Sequence, residues 1–320
     1  MFIKGIIFKI ESKNYYVFDE NNKEVRCFLR GKFQKEFSIK KDKLLTLDIA
    51  AVGDVVEFNL NNDGTGVITE IHPRRNKISR KAPRIKGASI RGERLEQIIA
   101  ANVDNLIIAS SWLNPKFNNR LIDRMIVVAE SSSVQPVIVI NKIDLDTNDE
   151  RKKWVNLYKQ IGYNVFETST ISKSGLDELR NFLTGKINLF WGHSGVGKSS
   201  LLNQLYPGLN LKVSEISDYT LKGRHTTVTV LMKKVDENTF VIDTPGIREI
   251  DPYGIKKEDL SHYFKDFKDY IYDCKFNTCT HHHEPGCAVV KACQEGKINE
   301  ERYKSYLNIL ETVEEDLFFE

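Results

Sequence analysis

The chain has 320 residues, of which 41% are hydrophobic and 28% are charged, a composition typical of a soluble protein of about two domains. Its longest apolar runs, such as Val137 to Ile140, are far shorter than the roughly 18 residues of a membrane helix, and its first residues lack a secretory signal, so we expect a cytoplasmic protein with no membrane partner. A net charge of +3 excludes a strongly basic protein, although the positive charge is unevenly distributed.

Residues 1–72 contain short alternating apolar segments separated by turn residues such as Asn61-Asn62-Asp63-Gly64. The predicted strands contain Ile6 to Phe8, Tyr15 to Phe18, Val25 to Phe28, Val55 to Phe58 and Gly66 to Ile68. Five short strands in this length favour a small closed barrel of the OB type, a fold that commonly binds single-stranded nucleic acid. A barrel without a ligand is the alternative.

The next segment, residues 73–94, is rich in basic residues. From Arg74 to Arg91 it carries eight lysines or arginines and no acidic residue, interrupted by Pro83 and Gly87. We interpret it as a mobile basic linker whose unopposed cations contact RNA phosphates, with a merely solvated tether as the alternative.

From residue 95 to residue 250, apolar strands alternate with helical patterns, which predicts an α/β domain with a mostly parallel sheet. Predicted pairs of strand and helix are 106–109 with 119–131, 137–140 with 149–161, and 187–191 with 198–205. Ligands of such sheets bind beyond the carboxyl ends of the strands.

The first motif in this domain is Asn141-Lys142-Ile143-Asp144, which directly follows a predicted strand. An aspartate carboxylate can accept hydrogen bonds from N1 and N2 of guanine, a pair of donors that adenine lacks, so Asp144 predicts GTP rather than ATP. We expect the Lys142 stem to lie along the base, and Ser169 to support the base through a backbone contact.

A phosphate-binding loop follows, with the pattern Gly-x4-Gly-Lys-Ser between a strand and a helix. The loop and the start of its helix comprise Gly192, His193, Ser194, Gly195, Val196, Gly197, Lys198, Ser199 and Ser200. Its backbone N–H groups would surround the phosphates, while Lys198 would reach the outer phosphates and Ser199 would bind Mg²⁺.

Two later segments complete a nucleotide site. Asp243-Thr244-Pro245-Gly246 follows an apolar strand, which directs Asp243 towards Mg²⁺ and the Gly246 N–H towards the last phosphate. Either Thr226 or Thr227 is expected to bind Mg²⁺ and the γ-phosphate, and we favour Thr227.

Hydrolysis requires a residue that orients water, yet the residue after Gly246 is the apolar Ile247. The nearest polar candidate is His225. We therefore hypothesise that catalysis depends on His225 together with Lys198 and Thr227, and that unassisted turnover is slow.

The order of these motifs is itself informative, because the base motif precedes the phosphate loop. The order is that of a Ras-like domain cut at a new place, with Thr184-Gly185-Lys186 joining what would otherwise be the two chain ends. The sequence therefore predicts a circularly permuted Ras-like GTPase domain.

Residues 251–320 contain the pattern Cys274-x4-Cys279-x-His281-x5-Cys287. Three thiolates and one imidazole close a tetrahedral site with no open position, so we predict one structural Zn²⁺. The neighbouring His282 and His283 leave the choice of histidine open. An amphipathic stripe of Tyr303, Tyr306, Leu307, Leu310, Val313 and Leu317 predicts a following helix.

The permuted motif order, the preceding barrel, the segment Gly223-Arg224-His225-Thr226-Thr227 and the cysteine–histidine cluster together resemble the RsgA/YjeQ family of circularly permuted GTPases. The resemblance covers nearly the whole chain. It implies GTP hydrolysis stimulated by the small ribosomal subunit and its rRNA, release of the protein after hydrolysis, and a role in late maturation of that subunit.

Two alternatives remain open, a GTP-dependent RNA-binding switch with negligible turnover and an ATP-using kinase. We further hypothesise that the nucleotide state moves residues 251–320, which we call the zinc module, because the segment after Asp243 leads directly into them. No heptad seam or dimer stripe is visible, so we expect a monomer.

Overall fold

The computed structural model describes residues 2–33, 49–81, 96–211, 230–244 and 253–313. Within these ranges no helix combines the length and the apolar character needed to cross a membrane.

The N-terminal strands form the predicted barrel. They are β1 (Ile3–Glu11), β2 (Asn14–Asp19), β3 (Glu24–Leu29), β4 (Val55–Leu60) and β5 (Gly66–Ile71). The strands pair in the order β1-β2-β3-β5-β4, and β4 pairs back onto β1, which closes the barrel. The barrel has its own core, in which Ile7, Val17, Val56, Phe58 and Ile68 are completely buried.

The basic segment differs from the expected mobile linker in its first part. Strand β6 (Lys77–Lys81) pairs antiparallel with β7 (Glu96–Ala101). Three of the eight cations are also opposed by acids: Arg74 by Asp54 at 2.6 Å, Arg75 by Asp104 at 2.6 Å, and Lys77 by Glu96 at 2.6 Å. The expectation of a row of unopposed cations is therefore wrong for these residues, while residues 82–95 lie outside the described ranges.

The central domain is the predicted α/β sheet. Its strands are β8 (Asn105–Ser111), β9 (Gln135–Asn141), β10 (Asn164–Glu167), β11 (Ile187–Gly192), β12 (Leu231–Asp236) and β13 (Thr239–Asp243). Its helices are α1 (Asn119–Ser131), α2 (Lys152–Ile161), α3 (Leu176–Leu183) and α4 (Lys198–Leu205), with 3-10 turns at Ile143–Leu145 and Pro207–Leu209. The strand order is β10-β9-β8-β11-β13-β12, with all neighbours parallel except the antiparallel pair β13 and β12.

The junction created by the permutation is short. Helix α3 ends at Leu183 with Thr184 as its C-cap, and β11 begins three residues later, at Ile187, beside β8 and β13. Gly185 adopts a positive φ of 74° there, and its N–H donates to the hydroxyl of the buried Thr239 at 2.9 Å. The tight join lets the phosphate-loop strand enter the middle of the sheet.

The barrel and the central sheet are continuous. Strand β1 pairs with β12 through Lys9 and Leu231, which produces one sheet of eleven strands. Phe8 and Phe18 stack at 4.0 Å on the outside of the barrel, and Phe18 contacts Phe240 of β13. Part of the outer face of the barrel is therefore covered by the α/β domain.

The C-terminal part is mostly short helices around one core. It contains 3-10 turns at Leu260–Tyr263, Lys265–Phe267 and Ile271–Asp273, followed by α5 (Ala288–Gln294) and α6 (Glu300–Thr312). The predicted stripe of α6 is largely confirmed, because Tyr306, Leu310 and Val313 are buried in this core, whereas Leu317 lies outside the described residues.

Candidate nucleotide site and metal centre

The motifs singled out in the sequence meet at one edge of the central sheet. The base motif follows β9, Thr168 and Ser169 follow β10, the phosphate loop follows β11, and Asp243 ends β13. Because these strands are parallel, their carboxyl ends share an edge.

The phosphate loop needs glycine at two points of close approach. A Cβ at Gly192 would lie 2.6 Å from the Ala109 carbonyl oxygen, and one at Gly197 would lie 2.5 Å from Asn141 Nδ2. Gly197 also has a positive φ of 89°. Helix α4 begins at the next residue, Lys198, so Ser199 and Ser200 lie in its first turn. The N–H groups of such a turn, together with the helix dipole, favour an anion.

Asn141 joins the phosphate loop to the base loops. Its side chain is buried; Nδ2 donates to the Val196 carbonyl at 3.0 Å, and Oδ1 accepts from the Thr168 hydroxyl at 3.2 Å. The sequence predicted that Asn141 lies at the site, but not that both polar groups of its amide hold the loops together.

Lys142 extends along the same junction. Its backbone is left-handed, with φ of 61°, and its Nζ donates to the Gly195 carbonyl at 2.6 Å and to the Asn114 carbonyl. Asn114 belongs to the loop after β8, which the sequence reasoning missed. The Asn114-Pro115 pair is the one signal of a turn at this position.

Asp144 is held by Ser169. The Ser169 hydroxyl donates to Asp144 Oδ1 at 2.5 Å and accepts from the N–H groups of Ile171 and Ser172 at 3.2 and 3.1 Å. The Ser169 N–H donates to the Ser174 carbonyl at 3.1 Å. This hydrogen bond uses the Ser169 N–H within the turn, and Thr170 supplies the next N–H along the loop. The expected backbone contact from Ser169 to the base stays a prediction.

The side of the site expected to hold Mg²⁺ and the last phosphate includes Asp243 and Thr244, at the end of β13. Asp243 ends β13 as predicted, and its carboxylate forms an ion pair with Lys198 Nζ. The following Thr244 is buried and donates its hydroxyl to the Phe190 carbonyl at 3.0 Å. The carboxylate of Asp243 and the hydroxyl of Ser199 are hard oxygen ligands that suit Mg²⁺. The predicted residues His225, Thr226, Thr227, Gly246 and Ile247 lie outside the described ranges.

The cysteine–histidine cluster forms a compact ligand set. One ligand atom from each of Cys274, Cys279, His281 and Cys287 lies within 4.8 Å of the others. His281 Nδ1 is 3.5 Å from Cys274 Sγ and 3.4 Å from Cys287 Sγ, and the two sulfurs are 3.9 Å apart. Zinc–sulfur bonds of about 2.3 Å at tetrahedral angles place ligand atoms about 3.8 Å apart, so the spacing fits Zn²⁺.

The surroundings of the cluster also suit a metal. The N–H groups of Ala288 and Val290, at the start of α5, donate to Cys274 Sγ and Cys287 Sγ, both at 3.4 Å. Such donors stabilise thiolates. Burial raises the pKa of the Cys279 thiol to about 12, so binding of a metal cation must displace its proton.

Comparisons with known proteins agree with this geometry. The family model described as RsgA GTPase matches residues 71–253, and the model of the RsgA N-terminal domain matches residues 4–68. The chain is 38% identical to the small ribosomal subunit biogenesis GTPase RsgA of Phocaeicola vulgatus, covering 98% of both chains. It is 39% identical to the protein of that name from Caldanaerobacter subterraneus, covering 98% of this chain and 96% of the relative.

Solved structures give the same result. The crystal structure of YjeQ from Thermotoga maritima matches with a TM-score of 0.76 at 33% identity, covering 97% of this chain and 98% of that one. YloQ, described as a circularly permuted GTPase, matches with a TM-score of 0.71 at 31% identity, covering 97% and 94%. A family model that spans more than half of the chain and relatives that span nearly all of it confirm the resemblance found in the sequence: the chain belongs to the RsgA GTPase family.

Proposed function

We propose that this chain hydrolyses GTP and that hydrolysis serves the biogenesis of the small ribosomal subunit, the process named for its relatives. The observation that carries the nucleotide assignment is the Asn141 side chain, which hydrogen-bonds to the phosphate loop and to Thr168. One amide thereby fixes the distance between a base-reading carboxylate and a phosphate-binding loop. The link supports a site in which both halves bind a single ligand.

Guanine recognition is assigned to Asp144. Its carboxylate would accept hydrogen bonds from guanine N1 and N2, in an orientation held by the Ser169 hydroxyl at 2.5 Å. The methylene stem of Lys142, fixed by the Gly195 carbonyl, would lie along the base. The Thr170 N–H is the proposed donor to the remaining acceptor on the base edge.

Phosphate binding is assigned to the loop from Gly192 to Ser200. Lys198 and Asp243 neutralise each other in the described structure, and a nucleotide with Mg²⁺ would give each a new partner. Lys198 would then contact the outer phosphates, while Ser199, Asp243 and Thr226 or Thr227 would hold Mg²⁺, which neutralises the phosphate charge. The Gly246 N–H would face the last phosphate.

Water positioning is assigned to His225, because Ile247 has no polar group with which to hold water. We expect slow turnover by the isolated protein and acceleration when rRNA of the small subunit contacts the segment around His225. The ion pairs of Arg74, Arg75 and Lys77 leave fewer cations for rRNA than the sequence offers. The salt dependence of binding should therefore be weaker than eight free cations would give.

The test is GTP hydrolysis measured with and without purified small ribosomal subunits at two salt concentrations. A large acceleration by subunits, reduced at high salt, supports a subunit-dependent GTPase. Equal rates with and without subunits, at saturating GTP, would instead indicate a switch with negligible turnover. In the same assay, His225→Ala should lose the acceleration while keeping its affinity for GDP, and an unchanged acceleration would remove His225 from the mechanism.

A further inference from the structure

The loop of residues 112–118, between β8 and α1, supports the base motif from one side. The Trp112 N–H donates to the Asn141 carbonyl at 3.0 Å, and the Asn114 carbonyl accepts from Lys142 Nζ. One contact thus fixes the backbone of the motif and the other fixes a side chain assigned to the base. A change in the position of this loop therefore changes the support of both residues.

The same loop ends at α1, and the first residue of α1 contacts the zinc module. Asn118 caps the helix by accepting from the Leu121 N–H at 3.3 Å. The side-chain amide of the next residue, Asn119, donates to the hydroxyl of Ser305 in α6 at 3.2 Å. Ser305 is completely buried, and a hydrogen bond is stronger there than in water. The zinc module therefore holds α1 at the residue next to the loop.

A second connection between α6 and the loop runs through aromatic side chains. The ring of Phe117, in the loop, lies 5.5 Å from the ring of Trp154 in α2, and Trp154 lies 6.2 Å from Tyr158. The Tyr158 hydroxyl donates to Asp123 at 2.7 Å, and Asp123 pairs with Arg302 of α6. Both connections start on α6 and reach the loop of residues 112–118.

Helix α6 is also tied to the segment that carries the cysteine–histidine cluster. The Tyr303 hydroxyl donates to the His281 carbonyl at 2.8 Å, and the Tyr306 hydroxyl donates to the Thr280 carbonyl at 2.6 Å. The position of α6 therefore depends on the fold of the zinc module as a whole.

We propose that Ser305 and Asn119 are positioning residues for nucleotide binding, through which the zinc module sets how long GDP stays bound. The proposal rests on the proposed function, because the loop acts through Asn141 and Lys142. Helix α6 fixes the start of α1, which fixes the loop, and the loop supports the base motif. When α6 shifts, the loop gains freedom and GDP dissociates faster. A partner that binds the zinc module and shifts α6 would thereby accelerate nucleotide release.

The experiment measures how fast GDP with a fluorescent methylanthraniloyl group on its ribose leaves purified full-length protein when excess unlabelled GDP is added. Ser305→Ala removes the hydroxyl that accepts from Asn119, and we expect dissociation to become about threefold to tenfold faster. Thr312→Ala is the matched control, because it also removes one hydroxyl contact between α6 and α1, the bond from Arg124 at 2.7 Å, which lies away from the start of α1. This control should leave the rate unchanged, and equal acceleration in both variants would overturn the proposal.

Two further variants test whether the effect passes through the loop. Asn119→Ala breaks the same hydrogen bond from the side of α1 and should accelerate dissociation as much as Ser305→Ala does. Phe117→Leu weakens the contact of the loop with Trp154 and should also accelerate dissociation. Combined with Ser305→Ala, its effect should be smaller than the product of the two single effects. Effects that multiply would show that Ser305 and the loop act independently, which overturns the proposal.

Asp144→Asn separates this proposal from the nucleotide assignment. The variant loses the carboxylate that would accept from guanine N1 and N2, so its GDP affinity should fall by about 10- to 100-fold. If it falls while Ser305→Ala releases GDP at the unaltered rate, the guanine site stands and the proposal for Ser305 is overturned. If Asp144→Asn binds GDP as tightly as the unaltered protein, the base assignment fails and this proposal fails with it.

Discussion

At the scale of single residues, the nucleotide site is held together by groups from separate loops: the Asn141 amide contacts Val196 and Thr168, and the Ser169 hydroxyl contacts Asp144. The motif around Asn141 predicted a guanine site because its residue types and spacing are tied to hydrogen-bonding groups of the base. The use of the Asn114 carbonyl by Lys142 depends on how a distant loop folds, which no local pattern encodes. The Ser169 N–H is used within its own turn, by the Ser174 carbonyl.

Replacement of Asn141 tests whether its hydrogen bonds to Val196 and Thr168 are needed for nucleotide binding. Asn141→Ala removes hydrogen bonds to Val196 and Thr168 and leaves the buried Val196 carbonyl without this donor. We expect GDP affinity to fall by about 10- to 100-fold, which corresponds to the loss of one or two buried hydrogen bonds. Thr168→Val removes only the second bond and should have the smaller effect. An equal effect of both variants would contradict the assignment of the Val196 contact as the main link.

Replacement of single histidines tests the metal centre. The structure directs His281 Nδ1 at the cysteine sulfurs, whereas His282 and His283 are exposed and contact each other. We propose one zinc ion per chain of the unaltered protein and expect His281→Ala to lose most of it, because the tetrahedral site loses a ligand. His282→Ala is the matched control and should retain its zinc. Elemental analysis of purified protein gives the answer, and zinc loss in the control alone would contradict this ligand set.

At the scale of elements, strands and helices of the α/β domain were predicted well because their apolar patterns are regular. Helix α1 matches its prediction at both ends, whereas α2 begins at Lys152 and not at Asp149, because Asp146 accepts from the N–H groups of Glu150 and Arg151 ahead of the helix. Strand β6 was missed because its lysines and arginines obscure the alternation and its partner β7 is distant in sequence.

The contact between α1 and α6 bears on the hypothesis that the zinc module moves. Arg302 of α6 is completely buried and pairs with Asp123 of α1 at 2.5 Å and with Asp266 at 2.7 Å. Tyr158 of α2 donates to the same Asp123 at 2.7 Å. A buried charge pair is costly to separate, so we expect the module to stay attached to α1 in both nucleotide states.

Breaking this ion pair should be strongly destabilising. Arg302→Ala leaves the buried Asp123 carboxylate without its cation, and we expect a loss of about 3–5 kcal/mol in the free energy of unfolding. Lys304→Ala is the control on the same helix, because Lys304 pairs with Glu300 and Glu301 at the surface and should change stability by less than about 1 kcal/mol. Hydrogen exchange in α6 and denaturant unfolding measure both effects. Similar hydrogen exchange in the two variants would show that the ion pair of Arg302 with Asp123 contributes little to stability.

At the scale of the whole molecule, the sequence predicted three structural parts but not how they join. The order of motifs was sufficient to infer the permutation, because each motif is tied to a particular strand end. The pairing of β1 with β12 and the coverage of Phe18 by Phe240 were not predictable, since they depend on the relative placement of parts with separate cores. One continuous sheet connects the barrel with the nucleotide site.

The most direct test of the central claim is a crystal structure with a non-hydrolysable GTP analogue and Mg²⁺. We predict guanine N1 and N2 within about 2.7–3.2 Å of the Asp144 carboxylate, with the phosphates surrounded by residues 192–200 and Lys198 released from Asp243. A nucleotide bound elsewhere, or bound in this loop with its base directed away from Asp144, would contradict the account.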